Sequence, residues 1–269
     1  MESGIIMFWV ESKLSMQYTI RELLKYPLLL SGLFSVQICV AQENKSSYEI
    51  GLNAGRMIYQ GDLTPSALGS YRTSRLSIGL TFAKPINTSL AVRAALLFGG
   101  ISGDDAIYSK PAFRQQRNFN FTSSVRELTA QAVWSFPGVP LNKKGFSAYA
   151  FAGGGFSLLR VVPNSDNFNP EFFGAEAAQI QSGLAEDAAH GTPRLLPLLL
   201  AGAGVKYFFK PQWGVNAEAS YRITYTDYLD GFSQSVNPTL NDHYMNYSVG
   251  VIYRTGRTGT ALDCPKVVY

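Results

Sequence analysis

A chain of 269 residues with 16% charged side chains, 13% aromatics, 25 glycines and 13 prolines departs from an average soluble composition toward strands and turns. Its net charge of +4 is scattered, with no long basic run, which argues against a nucleic-acid-binding protein. Two cysteines and two histidines leave little material for a disulfide framework or a Cys/His metal site.

Taken in chain order, Arg21 and Lys25 precede the apolar run Leu28 to Val40, and Cys39-Val40-Ala41 sets small residues at the −3 and −1 positions of a cleavage site. This reads as a secretory signal peptide cleaved after Ala41, with Met16 as the true start and the residues before it as an upstream extension. The run is shorter than the about 20 residues of a spanning helix, and the later Leu195 to Val205 stretch is broken by Pro197 and Gly202. Removing 1–41 takes away Lys13, Arg21 and Lys25 together with Glu2, Glu11 and Glu22, so the mature charge stays at +4. Cys39 leaves with the peptide, and Cys264 remains as a lone thiol. Cys39 as a lipid-modified residue is disfavoured, because Val36-Gln37-Ile38 lacks the small residues that lipoprotein processing prefers.

Beyond the signal peptide the dominant pattern is period-two alternation, which sends successive side chains to opposite faces of a strand. In 213–225, Trp213, Val215, Ala217, Ala219, Tyr221, Ile223 and Tyr225 alternate with Gly214, Asn216, Glu218, Ser220, Arg222 and Thr224. In 75–83, Leu76, Ile78, Leu80 and Phe82 alternate with Arg75, Ser77, Gly79, Thr81 and Ala83. Weaker versions at 48–59, 88–100, 121–136, 146–160, 195–209 and 244–254 bring the predicted strands to eight, each long enough to cross a bilayer. Gly153-Gly154-Gly155 and Gly202-Ala203-Gly204 spoil the alternation of two of them but suit the bends of a small barrel, and leave their facing unassigned.

The connections alternate as well. Short turns follow the second, fourth and sixth strands, at Lys84 to Asn87, Pro137 to Gly145 and Lys210 to Gln212. Long loops at 60–74, 101–120, 161–194 and 226–243 follow the others. Short periplasmic turns and long extracellular loops are the pattern of a transmembrane barrel with both termini in the periplasm. The predicted fold is therefore all-β, an eight-stranded antiparallel transmembrane β-barrel of the OmpA-like kind over 42–254, with 255–269 as a periplasmic tail. A soluble sandwich or lipocalin-like barrel would also alternate. Against it stand the small Gly, Ala, Ser and Thr of the polar faces, suited to a narrow lumen. So do the aromatics near strand ends (Tyr48, Tyr59, Phe82, Phe98, Trp134, Phe136, Trp213, Tyr225, Tyr253), placed as interfacial girdles.

If the apolar faces meet lipid, Glu49, Arg75, Arg93, Glu127, Glu218 and Arg222 point into a lumen only wide enough to be filled by side chains. An unpaired buried charge costs several kcal/mol, so an Arg–Glu network is predicted, with Arg93 and Arg222 against Glu127 and Glu218. It reads as structural filling in preference to a proton or ion path.

The loops offer thin chemistry. Asp104-Asp105 opposite Asp242-His243 superficially resembles the omptin outer-membrane proteases, but those barrels have more strands and separate their two carboxylates. Aspartates in such loops are ordinarily solvated turn formers. Ser233, Ser235 and His243 supply part of a lipid-deacylating triad without specific spacing, and His190 lies in another loop. Asp62, Asp104, Asp105, Asp227, Asp230 and Asp242 could ligate Ca²⁺ but lack EF-hand spacing. No cofactor and no metal are expected.

Three stretches carry a family resemblance. They are Tyr48-Glu49-Ile50-Gly51-Leu52 leading to Tyr59-Gln60-Gly61-Asp62-Leu63, then Ile101-Ser102-Gly103-Asp104-Asp105, then Arg117 to Ser123 with Glu127-Leu128. Tyr228-Leu229-Asp230 and Tyr244 to Arg254 fit more loosely. Together they resemble the family of outer-membrane barrels that includes PorG of the type IX secretion system. That resemblance implies a non-enzymatic component anchoring or scaffolding a secretion complex, embedded in outer-membrane lipids and associated with a periplasmic ring of the PorK and PorN type. If so, the loop topology sets Gly61, Asp62, Leu63, Gly103, Asp104 and Asp105 in the outer loops, and the periplasmic turns and the tail Thr255 to Tyr269 are expected to meet the ring. The competing functions are a hydrolase with its site in the extracellular loops and a small pore.

Overall fold

The structure, a computed structural model, describes residues 47–66, 69–138, 143–237 and 241–255. The expected signal peptide, its cleavage point and the tail beyond Thr255 lie outside the described residues. Eight strands follow one another: β1 (Tyr48–Gln60), β2 (Arg75–Pro85), β3 (Leu90–Asp104), β4 (Asn120–Phe136), β5 (Gly145–Asn164), β6 (Leu195–Phe208), β7 (Trp213–Thr224) and β8 (His243–Thr255). Each pairs antiparallel with the next, and β1 closes on β8 from Tyr48 opposite Thr255 to Gln60 opposite His243. The eight-stranded antiparallel barrel read from the alternation is the observed architecture.

Two boundaries move for one reason. β3, β4 and β5 run on together to Asp104 opposite Asn120 opposite Asn164, so parts of the expected second and third loops are strand. The tall β3–β5 wall gives the loops a surface to pack against. His243 likewise leaves the fourth loop and opens β8, paired with Gln60 and Ile223.

Odd-numbered residues of β1 to β5 and even-numbered residues of β6 to β8 face the lumen. This settles the two strands that polarity left open. Tyr149 and Phe151 of β5 turn inward with Leu198 and Leu200 of β6, while Ala148, Ala150 and Ala152 face out. A Cβ on Gly202 would overlap the Phe151 ring, and one on Gly204 would come within 2.8 Å of the Tyr149 ring. These glycines are the room that two lumen aromatics need, small against large across neighbouring strands.

Outside, Leu52, Ile78, Phe98, Leu128, Leu158 and Val249 are half or more exposed, and many other apolar side chains are exposed with them. A continuous apolar wall of this extent is untenable in water and is the lipid-facing band of an outer-membrane-type barrel. At the short-turn end Tyr48 stacks on Phe82, Trp134 leans on Phe136 and Trp213 on Tyr253. Tyr59 does not belong to that girdle. It lies at an inward position of β1 and is wholly buried. Among the described residues no helix is long and apolar enough to cross a membrane.

Candidate functional site: a filled lumen and a bonded cap

Charged side chains fill the lumen in successive tiers. Nearest the short-turn end, Glu49 accepts from Arg254 Nε at 2.8 Å and meets Lys206 Nζ at 3.6 Å, while the Arg254 guanidinium lies 3.3 Å over the Phe208 ring. In the next tier Arg93 Nη1 and the Tyr149 hydroxyl both donate to Glu218 Oε1 at 2.6 Å. Arg93 Nε reaches Gln131 at 2.7 Å, and Asn216 joins Glu218 to Asn53. Higher still, Glu127 accepts from the Tyr244 hydroxyl at 2.7 Å and from Arg222 Nε at 3.3 Å. Each acid is satisfied by a cation and at least one further donor or a second cation, the condition under which a buried pair is tolerated.

Of the six residues expected in this network, Glu49, Arg93, Glu127, Glu218 and Arg222 are inside. Arg75 is not: its side chain is exposed at the top of β2. The reason is its partner across the ladder, Met57, which belongs to a buried apolar cluster with Leu97, Ile101, Val125 and Leu159. A guanidinium pushed into that cluster would be desolvated without an acid to meet it. Lys206 and Arg254 were missed, although counting by twos along β6 and β8 places both on the inward face.

At the long-loop end the four loops are stitched in a ring. Between the first and second, Asp105 is fully buried and accepts from Arg114 Nη1 at 2.8 Å and Arg117 Nε at 2.6 Å. Both arginines stand on the short helix α1 (Phe113–Arg117) and spend further donors on the carbonyls of Asp62 and Thr64. Between the second and third, Asn169 bonds the backbone and side chain of Gln116. The third loop carries the short helix α2 (Pro170–Phe173) and the longer α3 (Ala177–His190). From α3, Asp187 accepts the N–H groups of Ser233, Gln234 and Ser235 and the Ser235 hydroxyl of the fourth loop. Between the fourth loop and β1, the Tyr59 hydroxyl lies 2.6 Å from Asp230 Oδ2 and 2.6 Å from Asp242 Oδ1. Beneath the ring, Phe119 stacks on Phe232 at 4.7 Å and Tyr59 meets Phe121 edge-on at 4.8 Å, with Leu63, Leu229 and Tyr244 around them.

The glycine-aspartate stretches that carry the family resemblance are parts of this cap. A Cβ on Gly61 would overlap both Asp242 Oδ1 and Tyr59 Oη. One on Gly103 would stand 2.7 Å from Phe121 and 2.9 Å from Leu63 Cβ. Leu63 is wholly buried, Asp62 lends its carbonyl to the arginines, and Asp104 caps a 3-10 turn through Ala106 N–H at 2.9 Å. The expectation of solvated turn formers fails for Asp105, Asp187, Asp230 and Asp242, all buried, because each ties one loop to another element.

Counting protons at Tyr59 has a chemical consequence. One hydroxyl owns one hydrogen, yet it sits at hydrogen-bonding distance from two carboxyl groups. It donates to one of them, and the other carboxyl must carry a proton and donate back to the phenol oxygen. The remaining oxygens accept backbone N–H, Asp230 from Phe232 at 2.8 Å and Asp242 from Leu229 at 3.2 Å. Burial pushes the Asp230 carboxyl up to about 8, and burial together with the neighbouring Asp230 pushes Asp242 well above the ordinary carboxylate range. Burial also lifts Asp227 to about 6, and raises Asp62 in spite of Arg117 and Arg114.

The candidate catalytic groups do not assemble. Asp105 is committed to two arginines and Asp242 to Tyr59. His243 stands on the outward side of β8 with its ring 5.5 Å from Tyr221, and His190 stacks on Tyr228 at 4.0 Å. Ser233 and Ser235 are buried against Asp187. Among the described residues no three His, Cys, Asp or Glu side chains are placed to hold a metal ion.

Fold and cap together define a class, the eight-stranded membrane barrel whose lumen is filled and whose loops close over it. Within that class the chain belongs to the family described as a domain of unknown function (DUF6089), whose profile matches residues 28–256. None of the curated proteins compared matches it. Among solved structures it is similar to the attachment invasion locus protein Ail of Yersinia pestis, at 12% identity and a TM-score of 0.43 over 78% of this chain and 99% of that one. It is also similar to the outer-membrane protein OprG of Pseudomonas aeruginosa, at 12% identity and 0.40 over 79% and 97%. A major outer membrane protein of Thermus thermophilus aligns at 10% identity and 0.42 over 77% and 99%. At such values the likeness is one of general form, and no function is transferred from it.

Proposed function

We propose that the protein is a non-enzymatic outer-membrane barrel that anchors or scaffolds a protein-secretion complex of the type IX kind, with its long loops outside the cell. The observation that carries this reading is how the side chains are used. The charges of the lumen are spent on one another and the loop acids on closing the cap, so the surfaces left to act are the two ends and the outer wall. A rigid, closed peg suits a structural role at a membrane, and the PorG-like stretches noted above supply the specific secretion assignment. On this reading the periplasmic turns and the tail after Thr255 meet ring proteins of the PorK and PorN type.

The test is a mild-detergent pull-down of the tagged protein from native outer membranes, with mass spectrometry of what co-purifies. Recovery of periplasmic ring components, lost on deleting the residues after Arg254, is the expected result. Recovery of the barrel alone in several detergents would refute the scaffold assignment. The small-pore reading is tested separately, since a filled eight-stranded lumen should give no steady conductance in a planar bilayer.

A further inference from the structure

One side of the outer wall breaks the rule that lipid-facing residues are apolar. At the long-loop end of β1 to β5 a cleft of about 740 Å³ is lined by Arg56, Arg72, Arg75 and Arg160 over a floor that includes Gly100 and Ser124, and among the described residues no carboxylate lines it. The register explains the convergence. Gly100 pairs with Ser124 and Ser124 with Arg160, so arginine, glycine and serine share one outward row. Small residues in the middle of that row leave the hollow. The Arg75 side chain, excluded from the apolar lumen, lies across it, with its Cδ 3.2 Å from where a Cβ of Gly100 would be.

Two of these guanidiniums are held in place from within the protein. Arg56 donates to Ser74 Oγ at 2.7 Å, and Arg72 donates to the Ile107 carbonyl at 3.0 Å. Arg75 and Arg160 have no hydrogen-bond or ion-pair partner among the described residues, and both are exposed. The carboxylate of Asp104, on the outward side of β3, stands four residues beyond Gly100 along the strand and is occupied by Ala106 N–H.

A second observation lies one outward row closer to the membrane centre, roughly 7 Å along the strands. There Arg126 is exposed between Phe98 and Leu158, directly across the ladder from each. An arginine on the lipid face is destabilising unless an anion or water reaches it, and no group among the described residues does so here. The charge is therefore graded: several guanidiniums at the rim, one a step below in a row otherwise of Ile78, Phe98 and Leu158, and Leu80, Leu96, Leu128 and Phe156 beneath them. A free anion would need the rim alone. An amphipathic ligand, anionic at its head and hydrocarbon below, fits the whole surface.

We propose that this cleft is a binding site for the phosphate groups of a phosphorylated outer-leaflet glycolipid whose acyl chains lie over Ile78, Phe98 and Leu158. The inference rests on the outer-membrane placement and orientation given above. Guanidinium forks match phosphate oxygens two by two, and the lipid phosphate supplies the acceptors that Arg75, Arg126 and Arg160 lack.

The test uses the full chain, purified in detergent, stripped of lipid and titrated in native mass spectrometry. The ligands are diphosphoryl lipid A, the same lipid with its phosphates removed enzymatically, and inorganic phosphate. Diphosphoryl lipid A should bind and the dephosphorylated lipid bind weakly. R75Q/R160Q should weaken the first by about tenfold or more and leave the second unchanged, as two charge-assisted contacts predict. R126Q, tested alone, should act in the same direction, and K84Q/K210Q at the opposite end should do nothing. Equal binding of the two lipids, unchanged affinity in both arginine variants, or displacement of the lipid by inorganic phosphate would overturn the proposal. Membrane fractionation of the same strain separates the two levels: a protein absent from the outer membrane defeats the placement itself, whereas one present there with no preference for phosphate defeats only the site.

Discussion

The shared proton at Tyr59 makes the cap sensitive to pH, with a sign and a slope that follow from the structure. Asp230 is pushed up to about 8 inside the cap, and opening the fourth loop returns it and Asp242 to water, where such carboxyls titrate near 3.8. The closed state thus holds a proton that the open state has lost. With the folded value raised, the Asp230 share of the stabilisation is complete below the unfolded value, declines as pH rises between the two, and is gone above about 8, while Asp242 acts in the same direction. One proton corresponds to about 1.4 kcal/mol per pH unit, a tenfold change in opening equilibrium for each unit. Asp227, at about 6, adds to the slope only in the lower part of that range, so the informative window is pH 6.5 to 8, roughly where one shared proton remains. Hydrogen-exchange mass spectrometry on peptides covering 226–237, corrected for intrinsic exchange, reads this opening directly. The matching perturbation is Asp242→Asn. Its amide nitrogen can donate to the Tyr59 oxygen and its carbonyl can accept from Leu229 N–H, reproducing the protonated acid at every pH. The variant should be better protected at pH 8 than the native protein is at that pH. A flat native profile across the window, or a native protein as protected as Asp242→Asn at pH 8, would refute the shared proton.

Other perturbations test the packing. Gly61→Ala forces a methyl between Tyr59 and Asp242 and should cost about 1–3 kcal/mol, seen as a lower melting temperature and faster proteolysis of the fourth loop. Arg93→Met strands Glu218 among Tyr149 and Asn216 and should destabilise the barrel by about 3–5 kcal/mol in guanidinium unfolding, whereas adding Glu218→Gln should recover most of the loss. Gly202→Ala drives a Cβ into the Phe151 ring and should destabilise the barrel by about 1–3 kcal/mol in the same assay, an effect that Phe151→Leu should partly relieve.

What the sequence made legible follows one periodicity. Where the outward residue is large and apolar and the inward one small or polar, as in β2 and β7, both strand and facing could be read. In β5 and β6 the polarity is inverted: alanines face the lipid, and Tyr149, Phe151, Leu198 and Leu200 fill the lumen. Polarity alone therefore gave no facing there, although the Arg and Glu positions of neighbouring strands fix the parity once the register is known. Tyr59 and Arg75 failed in opposite directions for a shared cause. Near the long-loop end the lumen becomes apolar, so it accepts a tyrosine ring and rejects a guanidinium, and a count by twos does not report that change. The cap was not legible, because its bonds join residues far apart in the chain, Asp187 to Ser235 and Tyr59 to Asp242 among them. Only the glycines left a trace, as motif positions whose reason is steric.

The two halves of the lumen argue for closure by different physics. Toward the turns, opening a path means separating Arg93 from Glu218 and Arg254 from Glu49, and each separated charge would have to be rehydrated in a channel too narrow to admit much water. Toward the loops it means lifting a cap whose bonds run from loop to loop around a ring, so no single loop can leave without breaking contacts on both of its sides. The shared proton, with Asp227 beside it in the same loop, makes a joint of that ring vary in strength within ordinary pH, which makes the fourth loop the first place where the cap would yield.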